Sequence, residues 1–184
     1  MFVSAVNDRE IIDIVKTLKN KKSTDCFDID MTLVKSIIEC IVQPFTYICN
    51  LSFQTGIFPS KMKTAKVIPI YKSGERHQFT NYRPISLLPQ FSKILEKLFD
   101  HRLETFIEKH NLLSDSQYGF RAKRSTSMAV MELEGISTAI DNKEYTVGVF
   151  IDLKKAFDII DHSLLMNKLE RCGGFQTVEL CFVC

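Results

Sequence analysis

The chain has 184 residues, 45% of them apolar and 25% charged, so it can fill one hydrophobic core and does not belong to the disordered class. Its formal net charge of +2 is too small to point to nucleic acid by itself, and six cysteines in a chain charged by its eighth residue do not read as a secreted disulfide scaffold. With no run of about 18 apolar residues to span a membrane, the expected setting is intracellular, in nucleus or cytoplasm, with free thiols and no signal peptide.

Residues 4–19 carry Ile11, Val15 and Leu18 on one face with Ile12 beside them, which is helical spacing. The charged stretch KNKKSTD ends that helix. Asp30 is a plausible N-cap for a second helix through Leu33, Val34, Ile37, Ile38, Ile41 and Val42. Pro44 is expected to break or kink it, because proline lacks the amide proton and its ring clashes with the preceding turn. Phe45, Ile48 and Leu51 then continue the pattern to Gly56. AKVIPIY (65–71) reads as a short strand, placed at an edge or strand end by Pro69. KSGERHQFTN is a polar turn and YRPISLL a second extended piece, so the two form a hairpin. Pro89 stands where a helix can begin, and Phe91, Ile94, Leu95, Leu98, Phe99, Leu103, Phe106 and Ile107 give that helix a long apolar face.

NLLSDSQYGFRAKRST is a loop. Ser125 or Thr126 can cap the next helix, with Met128, Met131, Ile136 and Ile140 on its buried side. In TVGVFID, Val147, Val149 and Ile151 alternate with Thr146, Gly148, Phe150 and Asp152, the period of a strand. Asp161 suits the N-cap of HSLLMNKLERC and Gly173 its C′ position. Helices outnumber strands, so the class is α+β.

Charge is distributed unevenly. Lys61, Lys63, Lys66, Lys72 and Arg76 face only Glu75 in their stretch, and Arg121, Lys123 and Arg124 form a second cluster. Both suit phosphate contacts, and both read equally as solvated surface. The terminal CFVC has CxxC spacing without a second ligand pair. Asp152, at the end of its expected strand, is a carboxylate that a hard ion such as Mg²⁺ would accept; an aspartate there also commonly caps a turn. Two such ions, about 3.5–4 Å apart, activate an attacking hydroxyl and stabilise a leaving pyrophosphate. Phe157 could exclude a sugar 2′-hydroxyl by contact, or simply fill a core.

Three segments change the weight of these alternatives together: KTAKVIPIYKSGERHQFTNYRPISLLPQFSKILEKLFDHRL, LLSDSQYGFRAKRST and VFIDLKKAFDIIDHSLLMNKLERCG. In order and spacing they resemble the reverse transcriptase domain of non-LTR (LINE-type) retrotransposons, and LKNKKSTDCFDI resembles the segment that precedes it. The resemblance covers residues 5–174. It implies a right-hand polymerase fold, helix-rich, with fingers plus partial palm present, the palm incomplete and the thumb absent. Residues 1–60 would be a helical segment preceding the core, 61–174 a partial reverse transcriptase domain, and 175–184 a divergent tail. The implied activity is RNA-directed DNA polymerisation, adding dNTPs to a DNA primer on an RNA template, with two Mg²⁺ ions in the complete enzyme.

The site residues follow from the same resemblance. Asp152 matches the first metal-binding aspartate of the palm, and Leu153 the position whose backbone carbonyl also reaches a metal. Phe157 matches the steric gate that admits dNTPs. Arg83 matches the fingers arginine that holds the triphosphate, and Lys72 and Lys66 would add charge on the same hairpin. Gln117, Gly119, Phe120 and Arg121 match the segment beside the template strand and nucleotide pocket. Asp158 and His162 belong to the signature, as groups that steady the metal ligands or as plain capping groups.

The chain also departs from the pattern. The family's paired-aspartate strand turn and its thumb are not found in these residues, and FQTVELCFVC does not resemble the family's next segment. One carboxylate cannot hold two Mg²⁺ ions, and Asp158 and Asp161 are poor substitutes. The chain alone is therefore expected not to polymerise DNA. The alternative is a non-catalytic nucleic-acid-binding remnant that keeps the hairpin and the RAKRST loop. A group II intron maturase is a near relative within the enzyme class, and an unrelated helical interaction domain is a third reading. A strand 146–152 without its neighbours should leave the product poorly soluble or partly molten. The polymerase reading also expects Asp152 to crown a palm strand and face bound ion and nucleotide; a position on the outer surface, remote from Arg83, would overturn it.

Overall fold

The computed structural model describes residues 4–21, 23–153 and 159–172. They fall into two compact units, one within Met1–Phe106 and His162–Cys184, the other within Ile107–Asp161.

The first unit is built on three helices. In α1 (Asp8–Thr17), Asn7 accepts the Glu10 amide at 2.9 Å, and Asp8 and Glu10 in the first turn oppose Lys16 in the last, as the helix dipole favours. In α2 (Met31–Thr55), Asp30 accepts the Leu33 amide at 2.8 Å, and Gly56 closes the helix in the left-handed region at φ 72° with its N–H on the Ser52 carbonyl. Against expectation, α2 runs unbroken through Pro44. Val42, Phe45 and Cys49 are buried on either side of it, so packing holds the register, while Pro44 itself is exposed. α3 (Gln90–Lys109) supplies Ile94, Leu95, Leu98 and Phe99.

These four join Ile11 and Val15 of α1 and Val34, Ile38, Phe45 and Phe53 of α2 in one core. Each such side chain stabilises by roughly 1.5–3 kcal/mol on burial. Phe45 meets Phe91 edge-on at 5.2 Å, and Phe53 meets Phe99 at 6.5 Å. α6 (His162–Arg171) starts directly after Asp161, where the sequence places its start, and sets Leu169 against the core. By length and composition α2 would also cross a membrane, unlike what its scattered polar residues suggest, yet one of its faces is committed to this core.

The hairpin is formed by β1 (Lys66–Tyr71) and β2 (Tyr82–Leu87), antiparallel, with Ile68 opposite Ile85 and Ile70 opposite Arg83. Both proline residues, Pro69 and Pro84, stand opposite each other in a sheet of two edge strands, where a missing amide is tolerated.

The second unit contains α4 (Thr126–Met131), capped by Ser125 on the Met128 amide, and α5 (Glu134–Asp141). The sequence predicts one helix with a buried stripe. Instead the helix breaks at Glu132–Leu133, Met128, Met131 and Ile140 are exposed, and Ile136 is half-buried. No described residue of this unit is buried, so nothing there covers the stripe. The predicted strand 146–152 is likewise not formed. Residues 144–153 carry no regular structure and are exposed throughout. A strand exists only through a partner ladder, and β1–β2 is the only sheet among the described residues.

Candidate nucleotide and nucleic-acid surface

The hairpin turn is held by its own side chains. Gly74 takes φ 94°, and a Cβ there would come within 2.6 Å of Asn81 Nδ2. The Lys72 amide reaches the Asn81 carbonyl at 2.8 Å, Asn81 Nδ2 donates to the Glu75 carbonyl at 2.9 Å, and Tyr82 Oη donates to the Arg76 carbonyl at 2.9 Å. Tyr71 Oη donates to the Gly74 carbonyl, the two tyrosine rings meet edge-on at 5.6 Å, and the Arg76 guanidinium lies 5.4 Å from the Tyr71 ring centre. Strand alternation then places Lys66 and Arg83 on one face with Ile68, Ile70 and Ile85. Both cations are exposed, as is Lys72 where the ladder ends.

The root of the hairpin is clamped into the helical core. Ser92 Oγ donates to the Met62 carbonyl at 2.6 Å and Cys26 Sγ to the Thr64 carbonyl at 3.3 Å. Asp25 is fully buried and accepts the amides of Phe27 (2.9 Å), Ile29 (3.1 Å) and Gln90 (2.9 Å), the last at the N-terminus of α3. Burial lowers the neighbouring Lys93 amine from its ordinary value, and the Asp25 carboxylate opposes that shift. Sequence reasoning missed Asp25. Its signal was local: an aspartate in STDCFDI can bond the backbone two and four residues on.

In the second unit, the half-buried Arg121 is ion-paired with Glu108 at 3.2 Å, and its Nη1 donates to the Ser114 carbonyl at 3.0 Å. It anchors the loop. Gln117 Nε2 donates to the Gly119 carbonyl at 3.3 Å, Phe120 is exposed at φ 57°, and Arg124 lies over the Tyr118 ring at 5.5 Å.

Asp152 and Leu153 are exposed in the segment that forms no strand, so the expectation that Asp152 crowns a strand is not met. Arg83 belongs to the first unit and Asp152 to the second. Phe157, Asp158, Gly173 and the CxxC of the tail lie outside the described residues. Among the described residues, no three His, Cys, Asp or Glu side chains gather as a metal site. One carboxylate and one backbone carbonyl fall short of the roughly six oxygens that Mg²⁺ takes, so these residues do not by themselves make a metal centre.

The comparisons with known proteins identify the class. Residues 70–182, more than half of the chain, match the family described as reverse transcriptase (RNA-dependent DNA polymerase). The chain is 33% identical over 171 residues to a probable RNA-directed DNA polymerase from transposon BS of Drosophila melanogaster, and 32% identical over 171 residues to the RNA-directed DNA polymerase from mobile element jockey of the same species. In both cases 92% of this chain and 19% of the relative are covered. The probable RNA-directed DNA polymerase from transposon X-element of the same fly is 30% identical over 164 residues, with 88% of this chain and 18% of the relative covered. The chain belongs to the reverse transcriptase family, on the branch of the non-LTR retrotransposons. It spans about a fifth of the length of these relatives, 18–19%. The family works with divalent metal ions.

Proposed function

We propose that this chain is the fingers and the first part of the palm of a retrotransposon RNA-directed DNA polymerase, acting on an RNA template, a DNA primer and dNTPs inside the cell, in nucleus or cytoplasm. The observation that carries the reading is the family match over residues 70–182, which includes Arg83, Lys72 and the Asp152 segment. Lys66 and Arg83 on one exposed hairpin face support it, since a planar guanidinium grips phosphate with two parallel bonds. In this reading Arg83, Lys72 and Lys66 receive the triphosphate, Phe157 selects the deoxyribose, and Gln117, Gly119, Phe120 and Arg121 flank template and nucleotide. Asp152 gives one carboxylate and Leu153 one carbonyl to Mg²⁺, and the remaining ligands come from a second aspartate motif that these 184 residues do not contain. Residues 1–60 would precede the polymerase core.

Primer extension with Mg²⁺ and dNTPs tests this. The 184-residue chain should retain a primer–template but leave it unextended. Extension by the chain alone would refute the incompleteness, and failure to bind RNA or DNA would refute the polymerase-fragment reading. In an active polymerase containing this segment, Arg83→Ala should raise the dNTP concentration needed by about tenfold, the scale of a charge-assisted hydrogen bond. The non-catalytic remnant is the second reading, favoured by the exposed cations of the hairpin, which make no ion pair among the described residues; binding without extension, even when the second aspartate motif is supplied, would select it.

A further inference from the structure

We infer that Phe79, in the β1–β2 turn, is a stacking platform for an unpaired nucleobase, with Arg76 of the same turn for a flanking phosphate. The inference deepens the reading of the hairpin as a nucleic-acid surface and rests on it.

Phe79 is 93% exposed. An aromatic ring left in water forgoes most of the stabilisation that burial would give it, and its open faces can take that stabilisation from a stacked ligand. The turn is ordered in detail. Phe79 opens a short 3-10 turn (Phe79–Asn81) whose Asn81 side chain is tied to Glu75 and whose Asn81 carbonyl receives the Lys72 amide. Gln78 is fixed on its other side through its amide to the Glu75 carbonyl and its side chain to Glu75 Oε2 at 3.3 Å. The backbone carrying the ring is therefore pre-organised, and a ligand pays little ordering entropy there.

Charge selects the ligand class. Between Lys61 and Leu87 the chain holds Lys61, Lys63, Lys66, Lys72, Arg76 and Arg83 against the single acid Glu75. None of the six cations takes part in an ion pair among the described residues. A polyanion with flat apolar faces matches this surface, and a single-stranded nucleic acid is such a polymer. A duplex does not match it, because its bases already stack on one another and offer no face to the ring. Within the proposed polymerase the ligand is the unpaired template.

The test is binding of the 184-residue chain to a labelled single-stranded 12-mer of oligo(A), to an RNA duplex of about equal length, and to an abasic strand of equal charge. Phe79→Ala should weaken oligo(A) binding about tenfold and leave duplex and abasic binding unchanged, as base–aromatic stacking implies. Phe79→Trp should restore or exceed the original affinity. Circular dichroism of both variants should match the parent, because Phe79 is almost wholly exposed. Equal oligo(A) affinity for parent and Phe79→Ala overturns the stacking role while leaving the polymerase reading intact. Absence of oligo(A) binding by the parent overturns both. A loss by Phe79→Ala that is the same on abasic strand and oligo(A) also overturns it, since the ring would then not be reading bases.

Discussion

Arg102 spends all five of its guanidinium N–H donors inside the protein. Nε donates to the Ser4 carbonyl at 2.9 Å, NH1 to Glu10 Oε1 at 2.7 Å and the Leu98 carbonyl at 2.8 Å, and NH2 to Glu10 Oε2 at 2.9 Å and the Ala5 carbonyl at 3.5 Å. It also lies 5.3 Å from the Phe53 ring centre. Breaking a buried pair costs about 3–5 kcal/mol, and Glu10 keeps some exposure, so Arg102→Met should destabilise by about 3 kcal/mol. Urea unfolding measures this, with a lower midpoint at an unchanged m-value. Cys49 lies in the same neighbourhood. Burial pushes its thiol up to about 12, with the Arg102 charge opposing and Glu10 adding to the shift. The folded state thus holds this proton more tightly than the unfolded chain does. The resulting stability is complete below the ordinary value of 9.0 and is lost as pH climbs from there to about 12. Iodoacetamide at pH 8 should alkylate the exposed Cys40 and Cys172 and spare Cys49 until denaturant is added, as peptide mapping would show.

Among the elements, α2 shows where sequence reading stops. Its N-cap Asp30, its apolar spacing and its closing Gly56 are all plain in the residues. Pro44 misleads, because propensity speaks for an isolated helix and here the core holds the turns on both sides. Pro44→Ala should therefore raise stability by about 1–3 kcal/mol, a gain in melting temperature, since the exposed ring contributes no packing and the alanine restores an amide. The hairpin was legible too, from two apolar runs around a polar turn, and so was α3, from its periodic face and Pro89. What was not legible needed distant partners. Arg102 reads as one more basic residue until Ser4 and Glu10 meet it, and Asp25 as a loop acid until Gln90 does. The alternation of 146–152 is real, but alternation supplies only a face; the ladder that makes a strand needs a second chain segment. Of the candidate site, the cations of the hairpin could be placed from the sequence. The anchoring role of Arg121 could not, because Glu108 lies thirteen residues away.

Across the whole molecule, stability is divided unequally. The first unit owns every buried residue described, and the second, within Ile107–Asp161, has none. Hydrogen exchange followed by mass spectrometry should find strong amide protection in α1, α2 and α3 and little in residues 107–161. Uniform protection across both would contradict this division. Unfolding should be cooperative for the first unit, while the exposed Val147, Val149, Phe150 and Ile151 bind a dye such as ANS before any denaturant is added. The clamped root of the hairpin has a mechanical consequence. Its hydrogen-bonded turn and clamped base are joined by a ribbon of only two strands, and such ribbons carry a larger twist than wider sheets. That twist sets the angle at which the turn's side chains leave the arm, so lengthening the ribbon should rotate them about its axis as well as move them outward.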